Sequence, residues 1–166
     1  MLHRLTRHDE RLLGALAGRD APAWLDQGLR WLTHAGGATL TSAVCMTLLA
    51  IPATRHTGLV ATLANLVSHV AVQCLKRSVV RPRPSLHQPH FTALIDMPDE
   101  FSFPSGHACA AMSIGVSVLL AAPLAGIPAV ALALLVGASR VYLRVHYPTD
   151  VAVGQLLGAV AALGVH

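Results

Sequence analysis

The fold is decided by residues 104–165, which read PSGHACAAMSIGVSVLLAAPLAGIPAVALALLVGASRVYLRVHYPTDVAVGQLLGAVAALGV. Three apolar segments of 18 or 19 residues follow one another here, at 104–122, 125–143 and 148–165. At about 1.5 Å of rise per residue, each makes a helix of about 27 Å, close to the ~30 Å hydrocarbon core of a bilayer. The stretch therefore predicts three transmembrane helices.

Two further apolar segments precede this stretch, at 36–53 and 58–75. Hydrophobic residues make up 54% of the chain and charged residues only 12%, whereas a soluble domain carries roughly 25% charged residues. We therefore expect one domain spanning 1–166. Its fold class is all-α: a polytopic membrane helical bundle of about five transmembrane helices in 36–166, preceded by an N-terminal interfacial helix.

Residues 1–35 form an amphipathic segment before the bundle. Pro22 can occupy the first turn of a short helix that places Trp24 and Trp31 at the level of the lipid headgroups. An ordinary packing helix is the alternative. Residues 1–11 are polar and precede no long apolar core, so we expect no cleavable signal peptide.

Charge and cysteine content narrow the class of partner. The formal net charge of +4 comes with no dense basic run, which favours an anionic lipid over nucleic acid. The three cysteines, Cys45, Cys74 and Cys109, match no zinc or disulfide framework and are expected to be free thiols.

Two polar intervals are expected on the same side of the membrane. Residues 76–103, with Pro82, Pro84, Pro89 and Pro98, cannot form one long helix and join the second span to the third. Residues 144–147 join the fourth span to the fifth. Because consecutive spans alternate in direction, the side chains of both intervals can converge on one site.

Three groups of polar residues lie at those same-side ends. They are Lys76 with Arg83-Pro84, then Pro104-Ser105-Gly106-His107, then Ser139-Arg140 with His146 and Asp150. Phosphoryl transfer requires positive charge around the phosphate oxygens, a nucleophile in line and an acid for the leaving group. The three cations supply the charge, and the helix that begins near Gly106 offers free backbone N–H groups to an anion.

Two histidines supply the remaining chemistry. His107 lies on the first turn of a helix, where it is placed to act as a general acid. His146 and Asp150 are four residues apart at a helix start, so their side chains can meet. A carboxylate that holds one ring nitrogen leaves the other free to attack phosphorus.

These three groups resemble, position by position, the signature of the type 2 phosphatidic acid phosphatase superfamily, which also contains vanadium haloperoxidases. The resemblance covers about residues 76–150. It implies that His146 forms a phosphohistidine, that Asp150 orients it and that His107 protonates the leaving group. It also implies a phosphate-binding set, consisting of Lys76, Arg83, Ser105, Gly106 and Arg140. Many membrane members have six spans, so this chain is expected to lack the first.

We expect no metal and no cofactor. Magnesium favours carboxylates that face phosphate, and the three groups offer only Asp150. Asp96, Asp99 and Glu100 are interpreted as a solvated loop, and His87 and His90 as surface residues rather than a metal pair.

Two patterns along the helices concern packing. Asn65, His69, Gln73 and Lys76 recur at helical spacing on the second span, and interhelical hydrogen bonding is favoured over substrate contact for this polar stripe. Gly154 and Gly158 form a small-xxx-small pair, interpreted as a close helix contact.

The function expected from the resemblance is a metal-independent lipid phosphatase in a bacterial inner membrane. Candidate substrates are a polyprenyl-phosphoryl pentose phosphate, undecaprenyl diphosphate and phosphatidylglycerol phosphate. Most arginines outside the site lie at its end of the bundle, with only Arg55 opposite, which favours the cytoplasmic face. The alternatives are a vanadate-dependent, haloperoxidase-like oxidant and a non-catalytic lipid-binding membrane protein.

Overall fold

The structure is a computed structural model that describes residues 2–17, 21–87, 92–97 and 99–166. Pro89, His90 and Pro98 lie outside these ranges, as does the side chain of His87. The histidine pair therefore falls outside the described part of the chain.

The described residues form helices and no strand. In chain order the helices are α1 (Leu2–Ala17), α2 (Ala23–Leu32), α3 (Ala38–Ala50), α4 (Arg55–Ser78), α5 (Pro84–His87), α6 (Gly106–Ala121), α7 (Pro123–Tyr142) and α8 (Pro148–Val165). Short 3-10 turns at Thr33–Gly36 and Pro52–Thr54 flank α3. The prediction of an all-α membrane bundle is confirmed.

The five predicted spans correspond to α3, α4, α6, α7 and α8, but two of them are shorter than expected. Three segments, Pro52–Ser78, α7 and α8, are long and apolar enough to cross a membrane. The segment Ala23–Gly36, which consists of α2 and the 3-10 turn after it, meets α3 at a bend of 53°. If this α2 segment and α3 together form one broken span, the number of candidate spans is four. α6 has 16 residues. α3 is short because it begins only after Gly37, and Pro52 cannot continue it.

α6 lies at the centre of the bundle and packs against α4, α7 and α8. A Cβ atom at Gly154 or Gly158 would overlap the carbonyl oxygens of Ser105 and Cys109. The close α6–α8 contact therefore requires glycine on α8, and the packing interpretation of this pair is confirmed.

The N-terminal segment differs from the expected interfacial helix. α2 fits that description, because it has no buried residue and leaves Trp24 and Trp31 about 70% exposed. α1 does not, because Leu13 is fully buried against Tyr147 and Val151. The apolar side of α1 meets the start of α8, so this helix belongs to the bundle.

Candidate active site

Three buried cations lie at one end of the bundle, where α4 ends, α6 begins and α7 ends. Lys76 is on the last turn of α4, Arg83 immediately precedes α5, and Arg140 is on the last turn of α7. Their exposed fractions are 8%, 1% and 2%. Burial of unpaired charge is costly, so each cation is expected to have anionic or polar partners. We call these three residues the cation cluster.

Asp99 is a partner of two members of the cation cluster. Its Oδ2 lies 2.7 Å from Lys76 Nζ, and its Oδ1 accepts a hydrogen bond of 2.9 Å from Arg83 Nη2. Burial raises the pKa of the Asp99 carboxyl, but the hydrogen bonds and charges of Lys76 and Arg83 outweigh it and hold the pKa below its usual value. The interpretation of Asp99 as a solvated loop residue is therefore incomplete, because its carboxylate pairs with two buried cations while 37% of its side chain is exposed.

Arg140 has the least complete set of partners. Its Nη1 donates to Thr33 Oγ1 at 2.9 Å, while its buried Nε has no hydrogen-bond partner among the described residues. The hydroxyl of Ser105 is likewise buried and unpartnered there. Unsatisfied buried donors are rare and costly, and two of them at the same bundle end are suited to a bound anion.

His146 lies in the turn before α8 with its two ring nitrogens in different surroundings. Nε2 is 3.3 Å from Arg83 Nη1, and Nδ1 is 2.6 Å from the carbonyl oxygen of Ser102. Because a carbonyl can only accept, the proton of neutral His146 belongs on Nδ1. Nε2 therefore carries the lone pair on the side of the cation cluster.

The surroundings of His146 favour the neutral ring. Burial and the positive charges of Arg140 and Arg83 together lower its pKa to about 4, although the carboxylate of Asp150 acts in the opposite direction. An unprotonated imidazole is the form that can act as a nucleophile.

Asp150 contacts more than the histidine it was expected to orient. Its Oδ2 is 3.7 Å from His146 Nδ1 and accepts a hydrogen bond of 2.8 Å from the backbone N–H of Tyr147. Its Oδ1 pairs with Arg81 at 2.7 Å. Of these two acceptors, the Ser102 carbonyl is the nearer to Nδ1, at 2.6 Å against 3.7 Å for Asp150.

His107 is on the first turn of α6, as predicted, and lines a cavity of about 760 Å³ that also contains His146 and the cation cluster. Gly106 lines the same cavity, and a Cβ atom there would meet only Val72, at 4.0 Å. An anion can therefore approach the N-terminus of α6 without hindrance from the first residue of the helix.

The structure brings the sequence-predicted residues together at one end of the bundle. It also adds residues that the sequence analysis did not single out as functional: Asp9, Thr33, Arg81, Asp99 and Ser102. Ser102 acts through its backbone carbonyl, which leaves no signature in a sequence. The signal for Arg81 in the sequence is its position two residues before Arg83.

The chain is similar in sequence to known membrane phosphatases. Residues 53–166 match the model of the PAP2 superfamily. The decaprenylphosphoryl-5-phosphoribose phosphatase of Mycobacterium tuberculosis is 40% identical over 115 residues, which cover 67% of this chain and 60% of that protein. The phosphatase of the same name from Mycolicibacterium smegmatis is 38% identical over 143 residues, covering 84% and 75%.

A solved structure shows the same architecture. The transmembrane PAP2 type phosphatidylglycerolphosphate phosphatase of Bacillus subtilis superimposes with a TM-score of 0.78 at 29% identity, covering 98% of this chain and 84% of that one. The chain spans about 60% of the length of the Mycobacterium tuberculosis relative that it matches.

Proposed function

The chain belongs to the PAP2 superfamily, and we propose that it is a metal-independent lipid phosphatase that acts through a phosphohistidine intermediate. The substrate class is a phosphomonoester or diphosphate of a polyprenyl or phosphatidyl lipid. The observation that carries this proposal is the His146 Nε2 lone pair, 3.3 Å from Arg83, in a cavity that also contains Lys76 and Arg140. The arrangement joins a neutral nucleophile to the positive charge that a phosphoryl group needs.

The proposed reaction has two steps. In the first, Nε2 of His146 forms a bond to phosphorus as the bond to the leaving oxygen breaks, and His107 donates a proton to that oxygen. In the second, water gives a proton to His107 and attacks phosphorus, which breaks the phosphorus–nitrogen bond and releases inorganic phosphate. The cation cluster and the Ser105 hydroxyl stabilise the charge on the phosphoryl oxygens in both steps.

The cavity supports a lipid substrate with a polar headgroup. It extends from the cation cluster along α3 and α4 and reaches Met46 and Leu49 on α3. Asn65, His69 and Gln73 of α4 also line this cavity. The interhelical interpretation of this stripe is wrong for His69 and Gln73, because both are exposed, and their mutual contact of 3.5 Å lies within one helix.

The length of the polar stripe favours one class of substrate. From Lys76 to Asn65 it covers about 16 Å of helix. A diphosphate attached directly to a prenyl chain would place hydrocarbon against Gln73 and His69. A sugar with a second phosphate instead presents hydroxyl and phosphate oxygens to these donors. We therefore favour a polyprenyl-phosphoryl pentose phosphate over undecaprenyl diphosphate. Phosphatidylglycerol phosphate, whose glycerol hydroxyl and second phosphate are also polar, stays a candidate.

Phosphate release from these three lipids, presented in detergent to the purified protein, tests both the phosphatase activity and the preference for the sugar lipid. Release from none of them would contradict the phosphatase proposal.

The variant Gln73→Leu tests the role of the polar stripe. It should reduce kcat/KM for the sugar lipid more than for the diphosphate. Val67→Leu, outside the cavity lining on the same helix, is the matched control. An equal loss on both lipids would contradict the role of the stripe.

The proposal includes independence from divalent metal. Lys76, Arg83 and Arg140 provide the positive charge that a metal ion would otherwise supply to phosphate. EDTA should therefore leave the rate of phosphate release nearly unchanged. Loss of activity in EDTA that magnesium restores would contradict this part of the proposal.

We place the site on the cytoplasmic face of a bacterial inner membrane. Among the described residues, Arg11, Arg30, Arg77 and Arg144 lie toward the site end, and Arg55 begins α4 at the other end, which supports this orientation. Asp96→Cys and Leu124→Cys mark the two ends in a Cys74→Ser background, because Cys74 is the exposed native thiol. An impermeant thiol reagent applied to intact cells should label only Leu124→Cys; labelling of only Asp96→Cys would reverse the orientation.

A further inference from the structure

A buried ion-pair network lies behind the active site, on the side of His146 away from the cavity. Arg81 is at its centre. The guanidinium of Arg81 bridges two carboxylates, with Nη2 at 2.7 Å from Asp9 Oδ2 and Nη1 at 2.7 Å from Asp150 Oδ1. Asp9 and Asp150 are 1% and 0% exposed. Asp9 and Arg81 belong to none of the three groups of residues that form the superfamily signature.

Arg81 is attached to both groups that face Nδ1 of His146. Its side chain binds Asp150, which lies 3.7 Å from Nδ1. Its backbone carbonyl accepts a hydrogen bond of 2.8 Å from the N–H of Ser102, whose own carbonyl lies 2.6 Å from Nδ1. A displacement of Arg81 would therefore move both acceptors on this side of the imidazole.

Asp9 fixes Arg81 from the opposite side and connects it to α8. One Asp9 oxygen accepts a hydrogen bond of 3.1 Å from the backbone N–H of Thr149, and the other accepts one from the Thr149 hydroxyl. Arg81 Nη1 also donates to Thr149 Oγ1, at 2.9 Å. Asp9 thus satisfies a free N–H at the start of the helix that carries Asp150.

The ring of Tyr147 closes the network. The guanidinium carbon of Arg81 lies 4.0 Å from its centroid, a cation–π distance. Tyr147 is 1% exposed and packs with Leu13 of α1. Apolar packing and ion pairing therefore fix α1 against the same turn of the chain.

We propose that Asp9 and Arg81 are positioning residues of the histidine nucleophile, and that α1 is in this way a functional part of the active site. Arg81 holds the two acceptors on the Nδ1 side, and Asp9 prevents the guanidinium from turning away. The network carries a net charge of −1, from two carboxylates and one guanidinium. It thereby stabilises the positive charge that develops on the imidazole as Nε2 bonds to phosphorus.

Asp9→Asn is the most informative variant, because asparagine keeps the size of the side chain and Arg81 retains Asp150 as its counter-ion. We expect kcat to fall about tenfold or more, as for groups that orient metal-bound histidines. The KM and the inhibition constant of vanadate should stay within about twofold, because no member of the cation cluster is altered. Asp9→Glu, which keeps the charge, should recover part of the lost kcat.

The matched control is Asp26→Asn. It removes the same charge, but from an ion pair with Arg30 in which both side chains are about one third exposed. The kcat of this variant should equal that of the parent. A kcat for Asp9→Asn within about twofold of the parent would overturn the proposal. So would a loss of vanadate binding in proportion to kcat, since that would show general loss of the folded site.

A second variant covers the case in which Asp9→Asn does not fold. Arg81→Lys keeps the backbone carbonyl and one ion pair, but an ammonium group cannot span two carboxylates as a guanidinium does. It should lower kcat and leave vanadate binding intact; unchanged kcat would contradict the proposal.

The inference rests on the proposed histidine-dependent phosphatase activity, and the two fail differently. No phosphate release by the parent protein would contradict the activity itself. An active parent with a fully active Asp9→Asn would contradict only the positioning role.

Discussion

Arg81 and Arg83 are two residues apart, and both are paired with carboxylates, yet their surroundings differ. The partners of Arg81, Asp9 and Asp150, are at most 1% exposed, whereas the side chain of Asp99, the partner of Arg83, is 37% exposed. Breaking the Arg81 pairs would leave buried carboxylates without a counter-charge, which is strongly unfavourable, whereas Asp99 can be solvated when it separates from the buried Arg83. We therefore expect the Arg81 network to stay intact during turnover.

The Arg83 pair is suited to exchange. An incoming phosphate offers Lys76 and Arg83 more charge than the Asp99 carboxylate, and Asp99 can be solvated when displaced. Burial of the counter-ion thus determines which arginine is available to a substrate and which remains part of the scaffold.

The greatest loss of activity is expected when the imidazole of His146 is removed. His146→Ala should reduce kcat by roughly a thousandfold or more, because the nucleophile itself is lost. Phosphate release by the purified variant measures this effect. An unchanged unfolding temperature in detergent is the control for folding, and substantial remaining turnover would exclude histidine as the nucleophile.

Replacing each of the two arginines should change the free energy of unfolding by a different amount. Arg81→Gln leaves Asp9 and Asp150 buried without their cation, and should lower the free energy of unfolding by about 3–5 kcal/mol. Arg83→Gln should cost clearly less stability, because Asp99 can turn to solvent, but it should weaken vanadate binding strongly. Thermal unfolding of both variants measures the two losses of stability, and equal destabilisation would contradict the structural role of Arg81.

The third effect is on pH dependence. His146 has a pKa of about 4 in the folded protein against an ordinary value of 6.5, so the acid limb of kcat/KM that it causes should lie near pH 4. Between these values the unfolded chain binds more protons than the folded one, so His146 lowers stability as pH falls through this window.

A pH–rate profile between about pH 3.5 and 9 measures the limb. Phosphate esters themselves titrate near pH 6, and phosphorus NMR of the substrate identifies that contribution. After the substrate's own titration is subtracted, an acid limb near pH 6.5 in place of one near pH 4 would contradict the lowered pKa of His146.

The smallest effect concerns the exchangeable carboxylate. Asp99→Asn should tighten vanadate binding about fivefold, equivalent to ~1 kcal/mol, because a partly exposed competitor for Lys76 and Arg83 is removed. Asp96→Asn, an exposed acid in the same loop, is the control and should have no effect. Weaker binding in Asp99→Asn would mean that Asp99 holds the cations in place rather than competing for them.

Much of the fold and of the site follows from local sequence. Apolar segments of membrane-spanning length predict helices, and their alternation in direction predicts that residues 76–103 and 144–147 meet. The structure agrees, since Arg83 contacts His146 across 63 positions of sequence. The bend between the α2 segment and α3 was not predictable, because it depends on packing of the turn at Gly36 against the backbone of His107.

Residue types and spacings alone place three cations, two histidines and a carboxylate at one end of an apolar helical bundle. Which atoms of these residues meet depends on how the helices pack. In the folded protein the Ser102 carbonyl lies 2.6 Å from Nδ1, Asp150 binds Arg81 and the backbone N–H of Tyr147, and Asp9 of α1 pairs with Arg81. Side-chain types and spacings are local properties, whereas backbone carbonyls are chemically alike at every residue and buried ion pairs join distant positions, so their roles are set only by folding.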